Sequence, residues 1–239
     1  GWFLWFSSVR HQIPDDLLMV GLDLVPPVRS VRDRGIFLDS DLSMRTHVTR
    51  TVASCFAVLR QIRSISRSVS RSVLQSLIVS LVFSRLDYGS ATLAGLPTRL
   101  WDRLQSVLNA AARLVYGSQK YDHVTPLLMD LHWLRVPERI AFRLAVLVYR
   151  CQHGVAPSYL AKELHRVADV ESRQRLRSAA STALVVPKTV HSTIGDRSFC
   201  VSAARVWNSL SPLVTSSPSL TVFRRRLKTE LFMRSYDLS

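Results

Sequence analysis

"SMRTHVTRTVASCFAVLRQIRS", residues 43 to 64, decides the fold class. Met44, Val48, Val52, Cys55, Leu59 and Ile62 recur at steps of three and four, the spacing that lines one face of an α-helix. Ser43 or Asp41 is available as N-cap, so the spacing predicts a first long helix over roughly residues 43–64. The same period continues downstream. Ser70 can cap a second helix that buries Val73, Leu74, Leu77, Ile78, Leu81 and Val82. Leu100, Leu104, Val107, Leu108, Ala111, Leu114 and Val115 make a third, ended by Gly117. Further helices are expected over 123–131, over 137–152, in "APSYLAKELHRVA", in "FCVSAARVWNSL" and in "SLTVFRRRLKTELF".

Upstream of Asp41 the pattern is different. "WFLWFSS" and "RGIFLD" are short aromatic or β-branched runs separated by "IPDD" and "VPP", which signals strands joined by turns. The fold class is therefore mainly α: a helical bundle with a small N-terminal β-rich edge and a C-terminal helical extension. Residues 171–197, rich in Ser, Thr and Arg, are the expected linker or exposed arm, with "ALVVP" as one possible strand.

Composition bounds the function. The 239 residues carry 32 Lys plus Arg against 17 Asp plus Glu, a formal charge of +15, and nearly all the cations are Arg, whose fork suits phosphate. A polyanionic partner is the default expectation. The three cysteines, Cys55, Cys151 and Cys200, are far apart, so neither a disulfide framework nor a zinc module is indicated. "VLQSLIVSLVF" is too short to span a bilayer, and no membrane segment is expected.

Several chemistries find no support. Two-metal polymerase or nuclease work needs carboxylates held together on strand ends or a hairpin. Asp15-Asp16 comes directly after Pro14 in a turn context, and Asp39 and Asp41 stand at a strand-to-helix junction, where turns and caps use such residues. The histidines at 11, 47, 123, 132, 153, 165 and 191 lack metal-ligand spacing. No nucleophile elbow, P-loop or dinucleotide fingerprint is present, and no cofactor is expected.

The charge is concentrated. Between Asp41 and Asp87 there is no acidic residue, whereas Arg45, Arg50, Arg60, Arg63, Arg67, Arg71 and Arg85 all fall there. These seven are the candidate nucleic-acid-binding residues, with Arg60, Arg63, Arg67 and Arg71 gathered at the tip of the first helical pair. A second run, Arg224, Arg225, Arg226 and Lys228, precedes Glu230 and reads at least as well as an exposed helix face. In "LVFSRLDYGSATLAGLP", residues 81–97, Arg85 and Asp87 can pair with each other or with backbone. Tyr88 can bury its ring there while its hydroxyl stays bonded. Trp133 and Trp207 read as core anchors.

"LWFSS", "VRDRGIFLDSDLSMRTHV", "SRLDYGSATLAGLP", "LQSVLNAAARLVYG", "DHVTPLLMDLHWLRVPERI", "GVAPSYLA", "RSFCVSAARVWNSL" and "FRRRLKTELF" together, in order, resemble the C-terminal part of reverse transcriptases of LINE-type non-LTR retrotransposons. The resemblance implies a palm or primer-grip remnant over 1–41 and a thumb-like helical bundle over 42–117. A helical C-terminal extension over 118–170 and a C-terminal helical segment over 198–239 complete the expectation. It also implies that the family's catalytic aspartates lie upstream of the segment that "LWFSS" matches. No polymerase residue is carried over, and this stretch is expected to be inactive alone. The pattern departs at Arg34, where the family commonly has Leu, and at Gly89 and Ser90, where it has Cys and Asn. The implied partner is RNA or an RNA/DNA duplex held by its phosphate backbone, with a polymerase palm segment beside it if the parent protein is intact. The implied location is intracellular, nuclear or cytoplasmic. The rival readings are a non-enzymatic helical scaffold for protein partners and a nonfunctional remnant of a decayed element.

Overall fold

The structure, a computed structural model, describes residues 3–7, 16–169, 182–189 and 192–238. They belong to two compact units, Gly1–Gly89 with Leu96–Gly117, and Ser90–Gly95 with Ser118–Ser239. The chain is mainly α, with two small antiparallel hairpins near its N-terminus. Asp15, His11 and His191 lie outside the described residues, as do residues 171–181 and 190–191 of the expected arm.

In the first unit, β1 (Leu18–Val20) pairs with β2 (Asp23–Val25), and β3 (Ser30–Asp33) pairs with β4 (Ile36–Asp39). The second hairpin turns on Arg34 and Gly35, whose φ angles are 44° and 86°. A two-residue turn with both φ positive matches the right-handed twist of the flanking strands, and glycine adopts it at little cost. Of the run "WFLWFSS", only a single parallel bridge from Phe3 to Pro27 forms among the described residues. Pro27 has no N–H with which to extend a ladder.

Helix α1 (Arg45–Ile65) buries His47, Val48, Cys55, Leu59 and Ile62 on one face. Burying each aliphatic side chain contributes about 1.5–3 kcal/mol. Its cap differs from the expectation. Met44 occupies the cap position with φ 59° and contributes no side-chain bond. The Asp39 carboxylate reaches over from β4 instead, accepting from Thr46 N at 3.1 Å and from Ser43 Oγ at 3.2 Å. Asp41 accepts from Ser43 N at 3.0 Å, closing the turn that brings the chain round. A strand end thus satisfies a helix start, and the hairpin and α1 are tied into one piece.

Helix α2 (Arg71–Ile78) begins at Ser70, whose hydroxyl accepts from Val73 N at 3.4 Å. It widens into a π-helical turn over Val79–Phe83 and resumes as α3 (Ser84–Leu86). Leu74, Ile78, Val82 and Phe83 face the core, whereas Val73, Leu81 and Val79 are exposed. The expected burial of Val73 and Leu81 fails because the buried row runs at four-residue steps through the widened turn. Helix α4 (Thr98–Tyr116) packs on α1 and α2. Ala111 and Ala112 are fully buried, and Gly117 ends it in the left-handed conformation at φ 64°.

In the second unit, α5 (Thr125–Asp130) precedes the central α6 (Val136–Gln152). The helix expected in "APSYLAKELHRVA" is cut to α7 (Ser158–Ala161) and a 3₁₀ turn over Val167–Asp169. The intervening chain instead joins residues 182–189: Val185 N donates to His165 O and Val167 N to Ala183 O. After α8 (Ser192–Gly195) come α9 (Phe199–Asn208), α10 (Pro212–Thr215) and α11 (Leu220–Ser235), and α6 packs against both α9 and α11. Tyr149 stacks on Phe223 at 4.4 Å, and Trp207 on Phe223 at 5.8 Å. Trp133 and Trp207 are both buried, and Trp207 Nε1 donates to Thr182 O at 2.9 Å. The Asn208 amide bonds both the N–H and the carbonyl of Leu184 at 2.8 Å.

Candidate nucleic-acid interface

All seven arginines singled out in the sequence lie in the first unit and are exposed. The structure separates them along α1. At 1.5 Å per residue, Arg50 and Arg60 stand about 15 Å apart along the axis. Arg60 and Arg63 occupy the last turns of α1, Arg67 the bend beyond it, and Arg71 the first position of α2. Among the described residues, Arg60, Arg63 and Arg67 have no side-chain hydrogen bond or ion pair. Arg71 sits over the Tyr116 ring at 3.6 Å, which fixes it against the end of α4. Arg45 opens α1 and stands apart from Arg50 and Arg85.

Arg50 and Arg85 do come together. They line a hollow of about 990 Å³ whose walls also include Arg32, Arg34, Gly35, Phe37, His47 and Tyr88. Four arginines line it, and among the described residues no carboxylate does. Phe37 organises two of them: the guanidinium carbons of Arg32 and Arg50 stand 5.7 and 4.6 Å from its ring centre. An aromatic ring attracts a cation without occupying its N–H donors. Among the described residues, Arg32, Arg34 and Arg50 accordingly donate no side-chain hydrogen bond.

The fourth wall comes from the segment after α2. The π-helical turn carries one residue more than an α-turn, so α3 is rotated by about 100° relative to uninterrupted helix. Arg85 donates to Leu81 O, a carbonyl of that turn, and the residue lines the hollow. Tyr88 donates its hydroxyl to Arg34 O at the hairpin tip. Its ring packs so closely on Gly35 that a Cβ there would lie 3.0 Å from Tyr88 Cε1. Tyr88 as a whole is 53% exposed, which corrects the expectation of a buried ring. Tyr88 closes the hairpin against α3 instead, because the Arg34 carbonyl offers its hydroxyl a partner at the surface.

His47 forms part of the floor and is only 4% exposed. Its Nδ1 accepts from Phe37 N at 3.5 Å. Arg32 and Phe37 form a non-hydrogen-bonded pair of the hairpin, so the Phe37 N–H points away from β3 and is free to be donated outward. With Nδ1 accepting, the ring proton sits on Nε2, which is buried and has no partner among the described residues. Burial lowers the His47 pKa, more than the Asp39 charge raises it. Behind this wall, burial pushes the Cys55 thiol up to about 11, and its Sγ lies 3.8 Å from Val82 O.

Arg32, Arg34, Phe37 and His47 escape the sequence reading. Asp33 between Arg32 and Arg34 neutralises the local charge count, although Arg32 and Arg34 line the hollow and Asp33 does not. The available signal is two arginines flanking one acid at a hairpin turn, directly before the acid-free block.

The second basic run behaves as an exposed helix face with a structural member. Arg224, Arg225 and Lys228 are exposed on α11, while Arg226 donates to Leu213 O at 2.8 Å. Glu230 accepts from Ser211 N at 3.2 Å and pairs with Arg234. Among the described residues no three His, Cys, Asp or Glu side chains converge on a metal-sized site, and no helix is long and apolar enough to cross a membrane. No family model, curated protein or solved structure matches the chain.

Proposed function

We propose that this chain is a nucleic-acid-binding helical module, the thumb and C-terminal region of a LINE-type reverse transcriptase. It holds RNA or an RNA/DNA duplex by the phosphate backbone. The observation that carries the reading is the hollow in the first unit, which Arg32, Arg34, Arg50 and Arg85 line together with no carboxylate among the described residues. Four like charges at one place repel one another unless an anion joins them, and guanidinium forks match phosphate oxygens. The exposed Arg60, Arg63 and Arg67 supply further backbone contacts that do not read bases. Binding is therefore expected to be strongly salt-dependent and nearly indifferent to sequence.

The test compares the unaltered chain with two variants, Arg50→Gln/Arg85→Gln and Arg60→Ser/Arg63→Ser/Arg67→Ser, in titrations of RNA and RNA/DNA duplexes of two unrelated sequences. Each variant should weaken both sequences alike, by tenfold or more. Unchanged affinity in both variants would overturn the reading. A helical scaffold for protein partners is the second reading, favoured by Met19, Val20, Leu22 and Leu24, apolar side chains exposed on the β1–β2 hairpin. A scaffold would keep its partner in both arginine variants.

A further inference from the structure

The exposed arginines of α1 and the arginine hollow differ in shape and in charge density. Arg60, Arg63 and Arg67 project from the convex end of a helix, where a strand can lie across them and present its singly charged diesters in turn. The hollow is recessed between the β3–β4 hairpin, α1 and α3, and Tyr88 shuts one side by its bond to Arg34 O. Four arginines line it. A bridging diester brings one charge and two free oxygens, which leaves most of the arginine donors unanswered. A phosphomonoester brings close to two charges and three strong acceptor oxygens.

The turn adds an independent observation. Arg34 sits at φ 44°, in a conformation that a hairpin turn fills at less cost with asparagine or glycine. Arg34 nevertheless lines the hollow.

We propose that the hollow is a phosphomonoester site, which takes the terminal phosphate of a nucleic-acid chain among Arg32, Arg34, Arg50 and Arg85. This deepens the nucleic-acid reading and rests on it. A free nucleotide carries the same group and is the other source of it.

The experiment uses the full chain and one labelled RNA sequence in three forms: hydroxyl at both ends, 5′-phosphate, and 3′-phosphate. AMP serves as unlabelled competitor. Affinities are read at about 0.15 M salt, near the physiological ionic strength. One of the phosphorylated forms should bind about tenfold more tightly than the hydroxyl form. Arg85→Gln, an exposed substitution whose folding is checked by circular dichroism, should weaken the phosphorylated form more than the hydroxyl form and so reduce that gap to less than twofold. AMP should remove the gap before it displaces the hydroxyl RNA. If all three RNAs bind equally, with the usual salt dependence, the monoester site is wrong and backbone binding stands. If no RNA binds but AMP does, and Arg85→Gln abolishes that, the pocket chemistry holds while the nucleic-acid source fails. If neither RNA nor AMP binds, both proposals fall.

Discussion

Arg34 carries the sharpest conflict between local structure and chemistry. A residue with a side chain held at positive φ costs about 1 kcal/mol, and asparagine tolerates the conformation better. Arg34→Asn should therefore raise stability in urea melts by about 0.5–1 kcal/mol while weakening RNA binding. Equal or lower stability would mean that the arginine side chain contributes packing beyond the Tyr88–Arg34 carbonyl bond. Gly35 beside it has less latitude: its φ of 86° strains any side chain, and a Cβ there would press on the Tyr88 ring at 3.0 Å. His47 is the other residue out of balance, since its Nδ1 has a partner and its buried Nε2 does not. An unmet buried donor costs about 1–3 kcal/mol.

At the scale of elements, the hairpin and α1 are joined by one carboxylate. Asp39 belongs to β4, yet it caps α1 through Thr46 N and fixes Ser43. Asp39→Ala should destabilise the first unit by about 1–2 kcal/mol, the usual cost of a lost N-cap. Because the cap also orients the hairpin, RNA binding should weaken as well. Urea melts and binding titrations on the same variant check both; a stability loss with unchanged binding would separate the cap from the site. The helices themselves are legible in the sequence wherever local signals suffice: the apolar stripe of α1, Ser70 before α2, Pro126 in the first turn of α5, and Gly117 after α4. Arg50 and Arg85 are legible as members of an acid-free block. The illegible features depend on partners far apart in the chain. The Asp39 cap comes from six residues before α1 begins, and Tyr88 finds a carbonyl 54 residues upstream. The stretch after α7 gives up helix for pairing with residues 183–185, which no window of local sequence contains. The π-helical turn, which aims Arg85, leaves no mark in an apolar run that reads equally well as plain helix.

At the scale of the molecule, the two units present different surfaces. The second is organised around buried aromatics, and its basic run on α11 is partly committed to bonds within the fold. The first carries arginines at both ends of α1 with few acids among them. The distance of about 15 Å from Arg50 to Arg60 corresponds to about four or five nucleotides at a rise of about 3.4 Å. A strand spanning that distance would engage the hollow and the helix end together. The most direct measurement is the slope of log K against log salt for RNA binding, taken for the unaltered chain and for Arg50→Gln/Arg85→Gln. Removing two phosphate contacts should make the slope shallower by about 1.4 to 1.8. An identical slope, with the variant folded, would contradict a phosphate-holding hollow.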